Sequence, residues 1–327
     1  MTAQKRKIFR IALIFMLCLC AFASPAYAKT KSKKTKVYKI KTAADWKNIS
    51  KKNGGSFKLT KDIRLSSTKQ YLIINKNKKY TIDLNGHKVY TTYAGAVSRT
   101  TCPLEIKKGT VILKSSKKNK GVLYSTETSA VTVEGKAKFY LKSGAIMNDA
   151  VEFRSDVIHG LCLTDSAKGY IQNDAKIMSI GSGIIMMGKS RLYTSGHPFI
   201  RAGVSTLTGM FTHYGCGIAV ISPNCKLSLK GGSFGTKATP DTVTTGALGS
   251  LIIYTGSGDY PVMDKSGKVL KIPSGYKCVD AKGANVPVLP SNLSLMYPAM
   301  AYLGGESKLE TWQQDSAGYY TVFILKK

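Results

Sequence analysis

A turn-strand-turn phrase that repeats along the chain restricts its possible folds more than any other feature. EGKAKFYLKSGAI (134–146) lies on SPNCKLSLKGGSF (222–234) without a gap, matching Ala137, Phe139 and Leu141 to Cys225, Leu227 and Leu229. GKSRLYTSGHPFI (188–200) is a third copy if one residue is inserted, and fainter echoes run over 173–184 and 78–89. Between these copies short apolar-alternating segments recur, among them Phe57-Leu59, Ile63-Leu65, Val111-Leu113, Val131-Val133, Ile177-Met178, Ile184-Met187 and Ile218-Ile221. Alternation at period two, punctuated by Gly and Asn, specifies strands with one buried face. A β-sandwich or barrel needs that alternation but has no reason to repeat a phrase. A β-solenoid does, because each turn must stack the same inward residues on its neighbours. The expectation is an all-β solenoid, with the 88-residue offset read as four turns of about 22 residues.

Ahead of the strands, Thr42-Ala43-Ala44-Asp45 reads as a helix start. The Thr42 hydroxyl can accept from the amide three residues on, and Asp45 faces the positive helix end. Trp46 and Ile49 form the apolar face, and Asn53-Gly54-Gly55 stops the helix. KTAADWKNISKKNGGSFKLTKDIRL (41–65), followed by YTIDLNGHKV (80–89), resembles the opening of secreted right-handed parallel β-helix proteins of the pectate-lyase-like superfamily, including surface proteins of Gram-positive bacterial type. There a short capping helix and a Gly turn precede an L-T-x-D-I strand and a D-L-N-G-x-x-V strand. The resemblance implies a right-handed parallel β-helix (solenoid) over 42–249, with a short N-terminal capping helix. It says little of function. From about residue 250 the composition changes: five of the ten prolines lie between Pro261 and Pro298, and the chain closes on a strong β segment ending at Leu325. Residues 250–327 are expected to form a small C-terminal β cap or module.

Residues 1–28 read as a secretory signal peptide. Lys5, Arg6, Lys7 and Arg10 precede an apolar run from Ile11 to Phe22 and the Ala26-Tyr27-Ala28 cleavage site. The run is shorter than the roughly 20 residues of a membrane span. Cleavage leaves Lys29 first, so the exported chain opens on a basic arm (29–41) holding seven lysines. The expected location is extracellular or cell-wall associated, with no transmembrane anchor. The cysteines past the signal are odd in number and scattered, which is not a disulfide framework, although Cys216 and Cys225 could pair.

The chain carries 49 Lys and Arg against 18 Asp and Glu. The bias sits in the N-terminal third, where residues 29–120 hold 25 basic against 4 acidic side chains. A field of this sign attracts polyanions and weakens with salt. Lys29, Lys31, Lys33, Lys34 and Lys36 are candidate contacts for an anionic polysaccharide or cell-wall polymer; a solvated face serving solubility is the alternative. Nothing points to specific nucleic-acid recognition.

Tyr140 and Tyr193 hold matching places in two copies of the repeat, each between inward residues, so both should point outward. Stacking against sugar rings, with Lys142 and Arg191 meeting acidic groups, is one reading; tyrosine's suitability for a sheet surface is the other. Intervening counterparts such as Met178 are not aromatic. The densest acidic stretch, NDAVEFRSDVIHG (148–160), offers Asp149, Glu152, Asp156, Arg154 and His159 as candidates for lyase chemistry. There carboxylates would hold calcium and a base would take a proton. Otherwise it is a polar inter-turn loop. No metal site is expected, and Ca2+ enters only with the lyase. The reading favours a non-catalytic surface or adhesion-type protein that binds anionic glycan. The alternative is a polysaccharide lyase or related carbohydrate-active enzyme acting on acidic, uronic-acid glycans.

Overall fold

The computed structural model describes residues 36–92, 102–117, 120–127, 129–149, 158–203, 216–222, 224–236, 249–253, 270–271, 273–279, 281–285 and 320–327. The signal segment and most of the basic arm therefore lie outside the described residues. The rest is predominantly β, with long parallel sheets compatible with a parallel β-helix.

Sheet I stacks Val37–Ile40, Gly55–Leu59, Lys79–Asp83, Thr110–Lys114, Lys138–Leu141, Lys168–Asn173, Arg191–Gly196, Lys226–Lys230 and Leu270–Lys271 in that order. Sheet II stacks Ile63–Leu65, Lys88–Thr91, Val122–Ser125, Ala145–Asn148, Lys176–Ser179, Phe199–Ala202 and Gly232–Thr236. Sheet III stacks Leu72–Ile74, Leu104–Ile106, Ser129–Val133, His159–Leu163, Ser182–Met186, Cys216–Val220 and Gly249–Ile253. From Gly55 to Lys271 successive strands fall in sheets I, II and III in turn. Parallel neighbours need a crossover; here each crossover is made by strands of the other two sheets. Two antiparallel strands finish sheet II: Tyr320–Lys326 on Gly232–Thr236, then Tyr276–Val279 on Tyr320–Lys326.

Alternation along each strand sends one set of side chains to the core. In sheet I, Phe57, Ile82, Leu113, Leu141, Ile171, Thr194 and Leu229 form one inward column. Thr194 is the polar member, and its hydroxyl donates to the Gly231 carbonyl at 2.7 Å. The next column runs Tyr80, Val111, Phe139, Gly169, Leu192 and Leu227. Gly169 leaves a gap there that Leu163 of sheet III enters. A smaller apolar cluster, Cys162, Ile185 and Ala219, lies apart from this core on alternate positions of sheet III.

The helix Ala43–Asn48 has both halves of its N-terminal box. The Thr42 hydroxyl accepts from the Asp45 amide, and the Asp45 carboxylate accepts from the Thr42 amide. Trp46 and Ile49 are fully buried, and the Trp46 indole donates to the Pro103 carbonyl at 3.3 Å. Among the described residues no helix is long and apolar enough to cross a membrane.

The register corrects the expected turn length. The strands of 134–146 and 222–234 are three steps apart in sheet I, through Lys168–Asn173 and Arg191–Gly196, not four. The cause is unequal bends: the pairing is in register, while the chain between partners varies in length. Met178 belongs to sheet II and is not the counterpart of Tyr140. That place is held by Tyr170.

Candidate functional site

The outer face of sheet I carries two parallel rows of side chains. Register pairing lines up Lys79, Thr110, Lys138, Lys168, Arg191 and Lys226 across six strands. Two positions further along each strand lie Thr81, Ile112, Tyr140, Tyr170, Tyr193 and Ser228. Strand alternation explains the placement: Phe139 and Leu141, and Leu192 and Thr194, point inward and are buried, leaving the tyrosines between them outside. Three consecutive strands thus present a basic residue and a tyrosine two apart: Lys138 and Tyr140, Lys168 and Tyr170, Arg191 and Tyr193.

The tyrosines form a stack. The Tyr140 and Tyr170 rings lie 4.2 Å apart at 4°, and the Tyr170 and Tyr193 rings 4.9 Å apart at 11°. The ring faces between Tyr140 and Tyr170 and between Tyr170 and Tyr193 are covered by this stacking. Ring edges and hydroxyls are what the row offers. Burial and the flanking Tyr140 and Tyr193 push the Tyr170 hydroxyl up to about 12, so it remains a protonated donor at neutral pH.

The basic row sets like charges side by side. Lys138 faces Lys168, Lys168 faces Arg191, and Arg191 faces Lys226. Like charges directly opposite on neighbouring strands repel one another. None of the ion pairs among the described residues involves these four side chains. Lys142, one residue beyond its strand, is exposed on the far side of Tyr140 and anchored by its amide to the Leu113 carbonyl.

Of the five candidate lysines of the arm, Lys36 alone is described; its Nζ lies 5.4 Å from the centre of the Tyr38 ring. Lys29, Lys31, Lys33 and Lys34 lie outside the described residues, as do Glu152, Arg154 and Asp156 of the acidic stretch. Asp149 and His159 are described, and both are buried at the bend from sheet II to sheet III. Asp149 lies against Tyr124, whose hydroxyl is pushed up to about 12 by burial and by that carboxylate. His159 is paired between Ser129 and Ser182, and burial pushes its imidazole down to about 4. The corresponding bend one turn earlier holds Glu127, which accepts from the Tyr71 hydroxyl at 2.5 Å, and Asn148 donates to the Glu127 carbonyl at 2.6 Å. Asp149 and His159 are both interior groups.

Cys102, Cys162, Cys225 and Cys278 are free and buried, so Cys225 does not pair with Cys216. Among the described residues no group of three or more His, Cys, Asp or Glu is placed to hold a metal ion.

Sequence reasoning singled out Tyr140, Lys142, Arg191 and Tyr193 and passed over Lys138, Lys168, Tyr170 and Lys226, which share the outer face of sheet I. The signal was present as K-F-Y, K-G-Y and R-L-Y at 138–140, 168–170 and 191–193. Searches of family models, curated proteins and solved structures return no match to the chain.

Proposed function

We propose that this chain is an exported, non-catalytic surface protein that binds anionic glycan or cell-wall polymer along the outer face of sheet I. In this reading residues 1–28 are removed as a signal peptide. The strands wind as a right-handed parallel β-helix, the hand that parallel crossovers almost always take. The Ala43–Asn48 helix covers the first turn, where the end of a stack would otherwise leave bare core and unpaired backbone. Its support is the burial of Trp46 and Ile49 and the Trp46 bond to Pro103.

The observation that carries the binding reading is the basic row. Lys138, Lys168, Arg191 and Lys226 stand on neighbouring strands with no acidic residue among them. A polyanion would turn that mutual repulsion into attraction. The tyrosine hydroxyls beside the row supply hydrogen-bond donors to sugar or acidic oxygens. The lyase reading lacks such support, because Asp149 and His159 are interior groups.

Retention of the exported chain on immobilised wall polymer and on heparin, eluted with a salt gradient, tests the proposal. Binding should weaken steeply with salt, since the contacts are exposed charges. A variant carrying Lys138→Ser, Lys168→Ser, Arg191→Ser and Lys226→Ser should elute at clearly lower salt. Equal retention of that variant, or no retention of the parent chain at low salt, defeats the reading.

A further inference from the structure

Resting on that reading, we infer that the face is a ladder of three equivalent subsites, each a basic residue and a tyrosine two apart on one strand. Its ligand is a linear glycan with one anionic group per sugar, running across the strands along the stack. The three subsites are Lys138 with Tyr140, Lys168 with Tyr170 and Arg191 with Tyr193.

Geometry sets the direction and the repeat. Register pairing places the three basic residues in one file perpendicular to the strands, and neighbouring strands are about 4.8 Å apart. A polymer along a single strand would meet only one basic residue and one tyrosine. Across the strands it meets one of each at every step. An anionic group recurring at one strand spacing engages every subsite, and one recurring at twice that spacing skips the middle.

The ladder also has ends. On one side the row continues to Thr110 and Ile112, which supply neither a cation nor a phenol. On the other side Lys226 continues the basic row, but Ser228 replaces the tyrosine. Three consecutive anionic groups are therefore the smallest ligand that fills the site.

Ring packing decides against single-stranded nucleic acid. Such ligands gain affinity by stacking bases on open aromatic faces. The facing sides of Tyr140, Tyr170 and Tyr193 are closed against each other at 4.2 and 4.9 Å. What remains is a line of phenol donors beside a line of cations, suited to carboxylate or sulfate oxygens.

The test uses the exported chain and two matched sets of oligosaccharides. One carries a sulfate on each sugar and the other a sulfate on every second sugar, each with one to six charges; a carboxylated version of each set distinguishes the charged group. Affinity in the every-sugar sets should rise about tenfold per added charge up to the third, gain less from a fourth that meets Lys226 without a tyrosine, and then level off. At three charges the alternate-sugar sets should bind at least about tenfold more weakly. Lys168→Gln and Tyr170→Phe, which keep the fold's inward residues intact, should each weaken the three-charge ligand more than Lys226→Gln does. Equal affinity at matched charge overturns the ladder while leaving general polyanion binding in place. A single-stranded oligonucleotide of equal charge binding as tightly also overturns it. Absence of binding in every set removes the ladder and the proposed function together.

Discussion

The Leu163 side chain occupies the room that a side chain at residue 169 would need: a Cβ built on Gly169 would lie 2.8 Å from Leu163 Cδ1 and 3.2 Å from Leu192 Cδ1. Sheets I and III thus interlock through a missing side chain. Gly169→Ala should destabilise the fold by about 1–3 kcal/mol, the usual cost of overpacking a closed core. Leu163→Ala alone should cost about 2–5 kcal/mol through the cavity it leaves. The double variant should be less unstable than the sum, because each change makes room for the other. Denaturant midpoints of the three variants check this. Strict additivity would mean that the two sites do not share the space.

Trp46 joins the first helix to the segment before Leu104. Trp46→Ala should cost about 3–5 kcal/mol from lost burial. Trp46→Phe keeps most of the apolar contact and removes the bond to the Pro103 carbonyl, so it should cost about 1–3 kcal/mol. Chemical denaturation followed by far-ultraviolet circular dichroism separates the two. A Trp46→Phe variant as stable as the parent chain would show that the hydrogen bond contributes nothing.

His159 is neutral in the fold, with its imidazole held down to about 4 against about 6.5 in an unfolded chain. Between those values the unfolded state binds a proton that the folded state refuses, so this group favours folding above about pH 6.5. Its contribution falls as the pH drops from about 6.5 to about 4, by about 3 kcal/mol in all. Below about 4 it declines no further. His159→Asn should flatten that part of the stability profile. A variant with the parent's slope between pH 6 and 4 would assign acid sensitivity to other groups.

Tyr170 gives the opposite sign at high pH. Its hydroxyl is raised to about 12, above the ordinary value near 10. Stability from this group is present below about pH 10 and is lost as the pH climbs toward 12. Tyr170→Phe should remove that share of alkaline destabilisation, and its absorbance titration near 295 nm should lose one late-ionising tyrosine, leaving the raised Tyr124 in place. Unchanged titration would place the shifted hydroxyl elsewhere.

Individual strands were legible in the sequence because a strand with one buried face writes a period of two. Phe139 and Leu141 flank an outward Tyr140, and Leu227 and Leu229 flank Ser228. The helix start was legible too, because Thr42 and Asp45 interact locally. Vertical order was not. It depends on bends whose lengths differ, so the offset between copies could not be divided into equal turns. Tyr170 escaped notice for a related reason: Gly169 stands where the repeat otherwise has a large apolar residue, and Leu163 fills the gap from another sheet. The fate of Asp149 and His159 was equally hidden, since their burial arises from neighbouring strands of sheets II and III.

Lys138, Lys168, Arg191 and Lys226 are direct partners in the stack, yet unequal stretches of sequence separate them. Pairing fixes the strands, and the bends absorb the difference. Insertions should be tolerated at the bends and rejected inside the strands, where a one-residue slip exchanges the two faces. A lineage built on this plan can therefore lengthen the bends of one turn without retuning the next. The outward basic file and the loops at its margins are free to diverge at different rates.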